Sequence, residues 1–208
     1  MERASWVLSF DLATRTGWAM GAPGDKAPIS GSVTLEKKGG DDGDLENNIG
    51  VLFVRLAHER KPDIVIWEVP FTIGAWWQMC QRQGRFQNGD SLIIQNTLAG
   101  IMRRECRRKE IPFVQVARQT ILKHYTGQRS WSSAPGAMDG RELGKKEILK
   151  RAATLGHLPH GCKDDDRGDA VAMWDWGCAV YGRATPESLE LFSPDRMRFQ
   201  PKKTPLDG

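Results

Sequence analysis

Residues 7–20 read VLSFDLATRTGWAM, and what becomes of the aspartate in their middle decides how the chain folds and what it does. The apolar run Trp6 to Phe10 stops on Asp11, turns through Thr14-Arg15-Thr16-Gly17 and passes straight into a second apolar run. An ionised carboxylate at the end of a buried strand is costly unless a partner charge or a cation meets it. Asp11 is therefore a candidate ligand; the competing reading is a turn cap through Thr14 or Thr16.

Outward from that turn, three strands are predicted, Trp6 to Asp11, Gly17 to Gly21 and Ile29 to Leu35. The Gly/Pro segment Gly21 to Pro28 joins the last two as a hairpin. Beyond a loop at Lys37 to Gly43, Leu45, Ile49, Leu52, Phe53 and Leu56 recur at helical spacing behind a cap at Asp44. The unbroken apolar run Ile64 to Trp67 suits a central strand covered on both faces, and it too ends on an acid, Glu68. Residues 71–90 show no clean period and are predicted to be a mobile segment. A long helix follows at Ser91 to Lys109, then a strand at Phe113 to Val116, a Gly/Ser-rich surface insertion between Tyr125 and Gly144, and helices at Glu142 to Leu155 and Asp166 to Tyr181. This β-β-β-α-β-α-β-α-α order predicts a mixed α/β sheet with helices packed on it. The predicted domain is 1–182, with 183–208 as a C-terminal tail.

The 208 residues, 39% hydrophobic, suffice for one substantial core. The formal net charge of +4 is mild, yet residues 101–129 hold eight Lys/Arg (Arg103, Arg104, Arg107, Arg108, Lys109, Arg118, Lys123, Arg129) against Glu105 and Glu110, a patch that suits a polyanion and, on charge alone, equally a solvated helix face. No apolar run is long enough to span a bilayer and no signal-like start is visible, so a cytoplasmic protein is expected. Cys80, Cys106, Cys162 and Cys178 are widely spaced, as reduced thiols would be. His157, His160 and Cys162 lack a fourth zinc ligand at suitable spacing.

A third group of acids lies in CKDDDRGDAVAMWDW, residues 162–176. Asp166 and Asp169 stand at i and i+3, on one face of a helix; Asp165 and Asp169, at i and i+4, remain an alternative. Singly, Glu68 pairing with a buried Arg and Asp164 to Asp166 capping a helix are adequate explanations. Together, Asp11, Glu68, Asp166 and Asp169 would repel one another unless divalent cations held them. Carboxylate oxygens suit Mg²⁺ or Mn²⁺, and two such ions about 3.5–4 Å apart can activate a water for in-line displacement at phosphorus.

FDLATRTGW, IWEVPF and DDRGDAVAMW, in that order and spacing, resemble the RuvC Holliday junction resolvases of the RNase H-like nuclease superfamily. The matching positions are Asp11, Thr16, Gly17 and Trp18; Glu68 and Phe71; and Asp166, Asp169, Ala170 and Ala172. VARQTILKHYTG and GKKEILKRA resemble further stretches of the family. The resemblance covers residues 5–182. It implies a five-stranded RNase H-like sheet with helices on both faces, two Mg²⁺ or Mn²⁺ per active site, and a homodimer that nicks two strands of a four-way DNA junction. It also implies Phe71 at the junction centre, with Trp76 and Trp77 extending the stacking platform or packing in the core. Arg82, Arg85, Arg118 and Lys123 would meet phosphates, and Lys145 or Lys146 would neutralise charge at the scissile phosphate. Leu12 and Ala13 replace the family's Pro-Gly and residues 130–141 look inserted, which suggests a divergent or phage-borne branch. Two competing classes are an actin-like or sugar kinase-type ATPase, for which Asp11 to Gly17 holds only one glycine, and a non-catalytic junction binder, for which every acid is unnecessarily retained.

Overall fold

The computed structural model describes residues 4–36, 42–70, 72–83, 89–131 and 140–182. The readings placed on Phe71, Arg85 and the 183–208 tail lie outside the described residues, as does the side chain of Arg82. The elements run β1 (Val7–Asp11), β2 (Arg15–Gly21), β3 (Ile29–Thr34), α1 (Asp42–Glu59), β4 (Ile64–Glu68), α2 (Ile73–Gln83), α3 (Asp90–Arg108), β5 (Phe113–Val116), α4 (Arg118–Thr126), α5 (Gly140–Thr154) and α6 (Asp165–Tyr181).

The five strands form one sheet in the order β3-β2-β1-β4-β5. The hairpin half is antiparallel, β1 with β2 and β2 with β3, while β4 and β5 run parallel to β1. Side chains alternate across the sheet, and the alternation divides the core in two. Leu8, Phe10, Met20, Val65 and Trp67 point to the face covered by α1 and α3, where Trp67 stacks on Phe113 with centroids 5.1 Å apart. Val7, Ala19, Ile64, Ile66 and Val116 point to the face covered by α4, α5 and α6. Helices thus occupy both faces, as predicted. No helix among the described residues is long and apolar enough to cross a membrane.

Several boundaries differ from the sequence reading. The β1–β2 turn is tighter, so β2 starts at Arg15 rather than Gly17: the Thr16 hydroxyl donates to the Ala13 carbonyl at 2.7 Å and accepts from the Ala13 N–H. α1 begins two residues before the predicted cap at Asp44. Residues 73–83, predicted as part of a mobile segment, are helical, and Arg118 to Thr126 form a helix that was not predicted. The eight cations of 101–129 do not share one face, because the sheet separates α3, with Arg103 to Arg108, from α4, with Arg118 and Lys123.

Candidate active site

Because β1, β4 and β5 are parallel, their C-terminal ends open on one edge of the sheet, where α/β folds place their sites. Phe10 pairs with Trp67, so Asp11 and Glu68 close adjacent strands one residue further on. Glu68 in turn pairs with Val116, which brings Arg118, the first residue of α4, to the same edge.

The fourth contributor, α6, is brought down onto β1 and β2 by small residues and polar pins. Gly17 lies directly across from Asp11, and a Cβ there would stand 1.9 Å from the Asp166 carbonyl oxygen. Only glycine lets the first turn of α6 rest on β2 at that point. The buried Ser9 hydroxyl donates to the Ala170 carbonyl at 2.8 Å, and the Trp174 indole donates to the Gly21 carbonyl at 3.2 Å. These pins deliver Asp169, whose side chain is 6% exposed, beside the strand ends.

Burial pushes the Asp11 carboxyl well above the usual carboxylate range, and the charges of Asp169, Glu68 and Asp166 push it further, against the pull of Arg118. Burial likewise raises Glu68, with Arg118 opposing and Asp169 adding to the rise. Arg118 reaches into the group: its Nη1 lies 3.2 Å from Asp169 Oδ2 and 3.5 Å from Glu68 Oε2. Burial disfavours its charge, but Asp169, Glu68 and Asp11 outweigh burial and hold the guanidinium more firmly protonated than usual. Sequence reasoning assigned Arg118 to DNA phosphates; in the structure it stands among the acids.

The three consecutive aspartates take different partners, although one carboxylate oxygen of each lies within 4.8 Å of the others. Asp164 caps α6, accepting from the Arg167 N–H at 3.2 Å and from the Ser32 hydroxyl at 2.6 Å, and pairs with Arg15 at 3.1 Å. Asp165 turns to Lys145, whose hydrogen bond and charge outweigh burial and hold its pKa below the usual range. Asp166 pairs with Arg15 at 3.4 Å, and burial together with Asp165 raises its pKa. Asp166 is also the member of the trio that acts on Asp11. Lys145 is therefore engaged beside the site, whereas Lys146 and Lys123 are exposed on α5 and α4. Sequence reasoning missed Arg15 and Arg141, the latter close enough to lower the pKa of Glu68. Arg15 was visible in the opening turn, but only the fold shows that it faces the end of α6.

On α2, Trp77 is 47% exposed and Ile73 75% exposed, while Trp76 is half-buried. The helix starts five residues beyond Glu68, so these side chains lie close in sequence to the acidic edge.

Asp11, Glu68, Asp166 and Asp169 offer oxygen donors alone, the chemistry that hard divalent cations select. Burial is the main cause of the raised pKa values of Asp11 and Glu68, and at Asp11 the charges of Asp169, Glu68 and Asp166 add to it against the pull of Arg118. The residues present therefore fit Mg²⁺ or Mn²⁺.

The sheet order and the two helical layers define an RNase H-like α/β protein. Within that class the chain has the RuvC fold. It superposes on Thermus thermophilus RuvC in complex with Holliday junction substrate with a TM-score of 0.62 and 12% identity, covering 85% of this chain and 93% of that one. A second Thermus thermophilus RuvC structure gives a TM-score of 0.58 at 12% identity, covering 81% and 90%. The yeast mitochondrial Holliday junction resolvase Ydc2 aligns with a TM-score of 0.48 at 14% identity, over 86% and 84%. No protein-family model matches the chain, and no curated protein matches its sequence.

Proposed function

We propose that the chain is a divalent-cation-dependent endonuclease that resolves branched DNA, four-way junctions foremost, by phosphodiester hydrolysis. The observation that carries this reading is the meeting of Asp11, Glu68 and Asp169 around Arg118 at one sheet edge, with the charge of Asp166 acting on Asp11. The RuvC fold, seen elsewhere in complex with a Holliday junction substrate, supports DNA of that shape as the substrate.

Asp11, Glu68, Asp166 and Asp169 would hold the cations. Two Mg²⁺ or Mn²⁺ ions bound there would supply an activated water and charge stabilisation at the leaving oxygen. Arg15 and Lys145 fix the start of α6, so the acids reach the reacting phosphate from a rigid support. Lys123, Lys146, Arg82 and Arg85 contribute phosphate contacts, which carry affinity but little sequence information. Phe71, three residues beyond β4 in sequence, and Trp76 and Trp77 on α2 would offer bases a stacking surface. A four-way junction presents two equivalent strands, and a twofold homodimer would present two equivalent sites to them.

The test is cleavage of an immobile four-way junction, beside linear duplex and flap controls, in Mg²⁺, Mn²⁺ or EDTA, by the wild type and by Asp169→Asn. Paired symmetric nicks that need both metal and Asp169 are expected. Cutting of flaps with the junction spared would overturn the substrate assignment, and absence of cutting on every DNA would overturn the nuclease reading.

A further inference from the structure

A carboxylate cluster without cations would open or take up protons, yet this one is closed over by an arginine. One nitrogen, Arg118 Nη1, contacts acids from two separate elements, Glu68 at the end of β4 and Asp169 in α6. We infer that Arg118 is the resident counter-cation of the site: it holds the acids together in the metal-free protein, must release Glu68 and Asp169 before a divalent cation can take them, and so sets the cation concentration the site requires. The inference rests on the cation-site reading above and deepens it.

Three features support the exchange. A guanidinium does not lose its proton in proteins, so Arg118 leaves by being outcompeted, cation for cation. Asp169 and Glu68 each give it a charge-assisted contact, and an incoming ion must replace both. The direction of release is also fixed. Glu68, Arg118 and Asp169 line, with Ile121, Leu122, Ile148 and Met173, a cavity of about 10 Å³, far too small for a guanidinium to withdraw into. The remaining path leads toward solvent, to which 27% of the Arg118 side chain is already exposed. An arginine driven there meets whatever anion approaches the acids, and a phosphate diester is the anion this reaction supplies. Cation loading and phosphate capture are thereby coupled with the same sign, each favouring the other.

Calorimetric titration of Mn²⁺ into the metal-free full-length protein, with no DNA present, separates these roles. Arg118→Gln keeps a hydrogen-bonding side chain but loses the competing charge, and is expected to bind Mn²⁺ about tenfold more tightly than the wild type, a difference of about 1.4 kcal/mol. Arg118→Lys keeps the charge without the fork and should fall between the two. A merely structural arginine predicts the opposite order, weaker binding in both variants. Equal or weaker binding by folded Arg118→Gln overturns the inference, and if that variant does not fold, Arg118→Lys binding no more tightly than the wild type does so. Asp169→Asn serves as the control for binding at the site. If neither the wild type nor any Arg118 variant binds Mn²⁺ in a way that Asp169→Asn abolishes, the cation-site reading falls together with the inference; if all bind it equally, the role of Arg118 falls alone.

Discussion

Gly17 does two jobs at one position. It sits opposite Asp11 in the β1–β2 ladder, and its missing side chain lets the Asp166 carbonyl lie where a Cβ would be. The obstacle is backbone, 1.9 Å from the carbonyl oxygen and 2.4 Å from its carbon, so no rotamer change relieves it. Gly17→Ala must therefore lift the first turn of α6 and carry Asp166 and Asp169 with it. Overpacking of this kind costs about 1–3 kcal/mol, and a displacement of about 1 Å in a catalytic group costs about 100-fold in rate. Junction cleavage by Gly17→Ala should fall about 100-fold or more while junction binding, held by peripheral cations, stays near wild type. Cleavage within a few-fold of wild type would show that α6 does not depend on this contact. The sequence displayed Thr16-Gly17 but not the reason for it, because the partner backbone is about 150 residues away. The same holds for Asp165 and Asp166: their spacing to Asp169 left both open, and in the structure Asp165 pairs with Lys145 and Asp166 with Arg15, partners that no local pattern assigns to them.

Among the elements, those with a long or unbroken buried face were the legible ones. β1, β4 and α1 carry unbroken or periodic apolar residues because the core demands them, and they fall where the pattern places them within three residues. α2 hid although Ile73, Trp76, Trp77 and Cys80 stand at helical spacing: the element is short, and of the side chains the structure describes only Cys80 is buried, while Ile73 and Trp77 face outward. α4 hid through length alone. Its nine residues are shorter than the window in which a 3.6-residue period can be read, although Ile121, Leu122 and Tyr125 are buried. The exposure of α2 carries its own consequence. An indole nearly half in water, on the helix that follows β4 in sequence, contributes little to the core but offers a surface to an unstacked base. Base–aromatic stacking is worth about 1–3 kcal/mol. Trp77→Ala is expected to weaken junction binding by about 5- to 100-fold with an unchanged melting temperature, read by fluorescence anisotropy and thermal unfolding. Unchanged binding, or a loss of binding matched by a loss of stability, would return Trp77 to a packing role.

For the molecule as a whole, the net charge of +4 conceals a concentration of negative charge where β1, β4 and α6 meet, and stability must reflect it. Asp11, Glu68 and Asp166 all have folded-state pKa values above the ordinary carboxylate range. The native protein therefore binds more protons than the unfolded chain between that range and the raised values, and stability falls as pH rises through this window. The contribution is complete below the ordinary carboxylate pKa and is lost above the raised ones. Divalent cations act in the opposite sense, since an ion bound only by the native state adds RT ln(1 + [L]/Kd), about 2.7 kcal/mol at a hundredfold excess over Kd. For a chain of this size that corresponds to a rise in Tm of about 5–10 °C. Thermal unfolding from about pH 5 to about pH 8 should show Tm declining with pH in EDTA, and a higher, flatter profile in saturating Mg²⁺. Asp11→Asn removes the most perturbed of these carboxyls and should flatten the EDTA profile, raising Tm at the alkaline end while junction cleavage is lost. A Tm in EDTA that climbs with pH, or one that Mg²⁺ leaves unmoved at every pH, would mean that the acids are already balanced by the protein's own cations and that the site has no need of a metal.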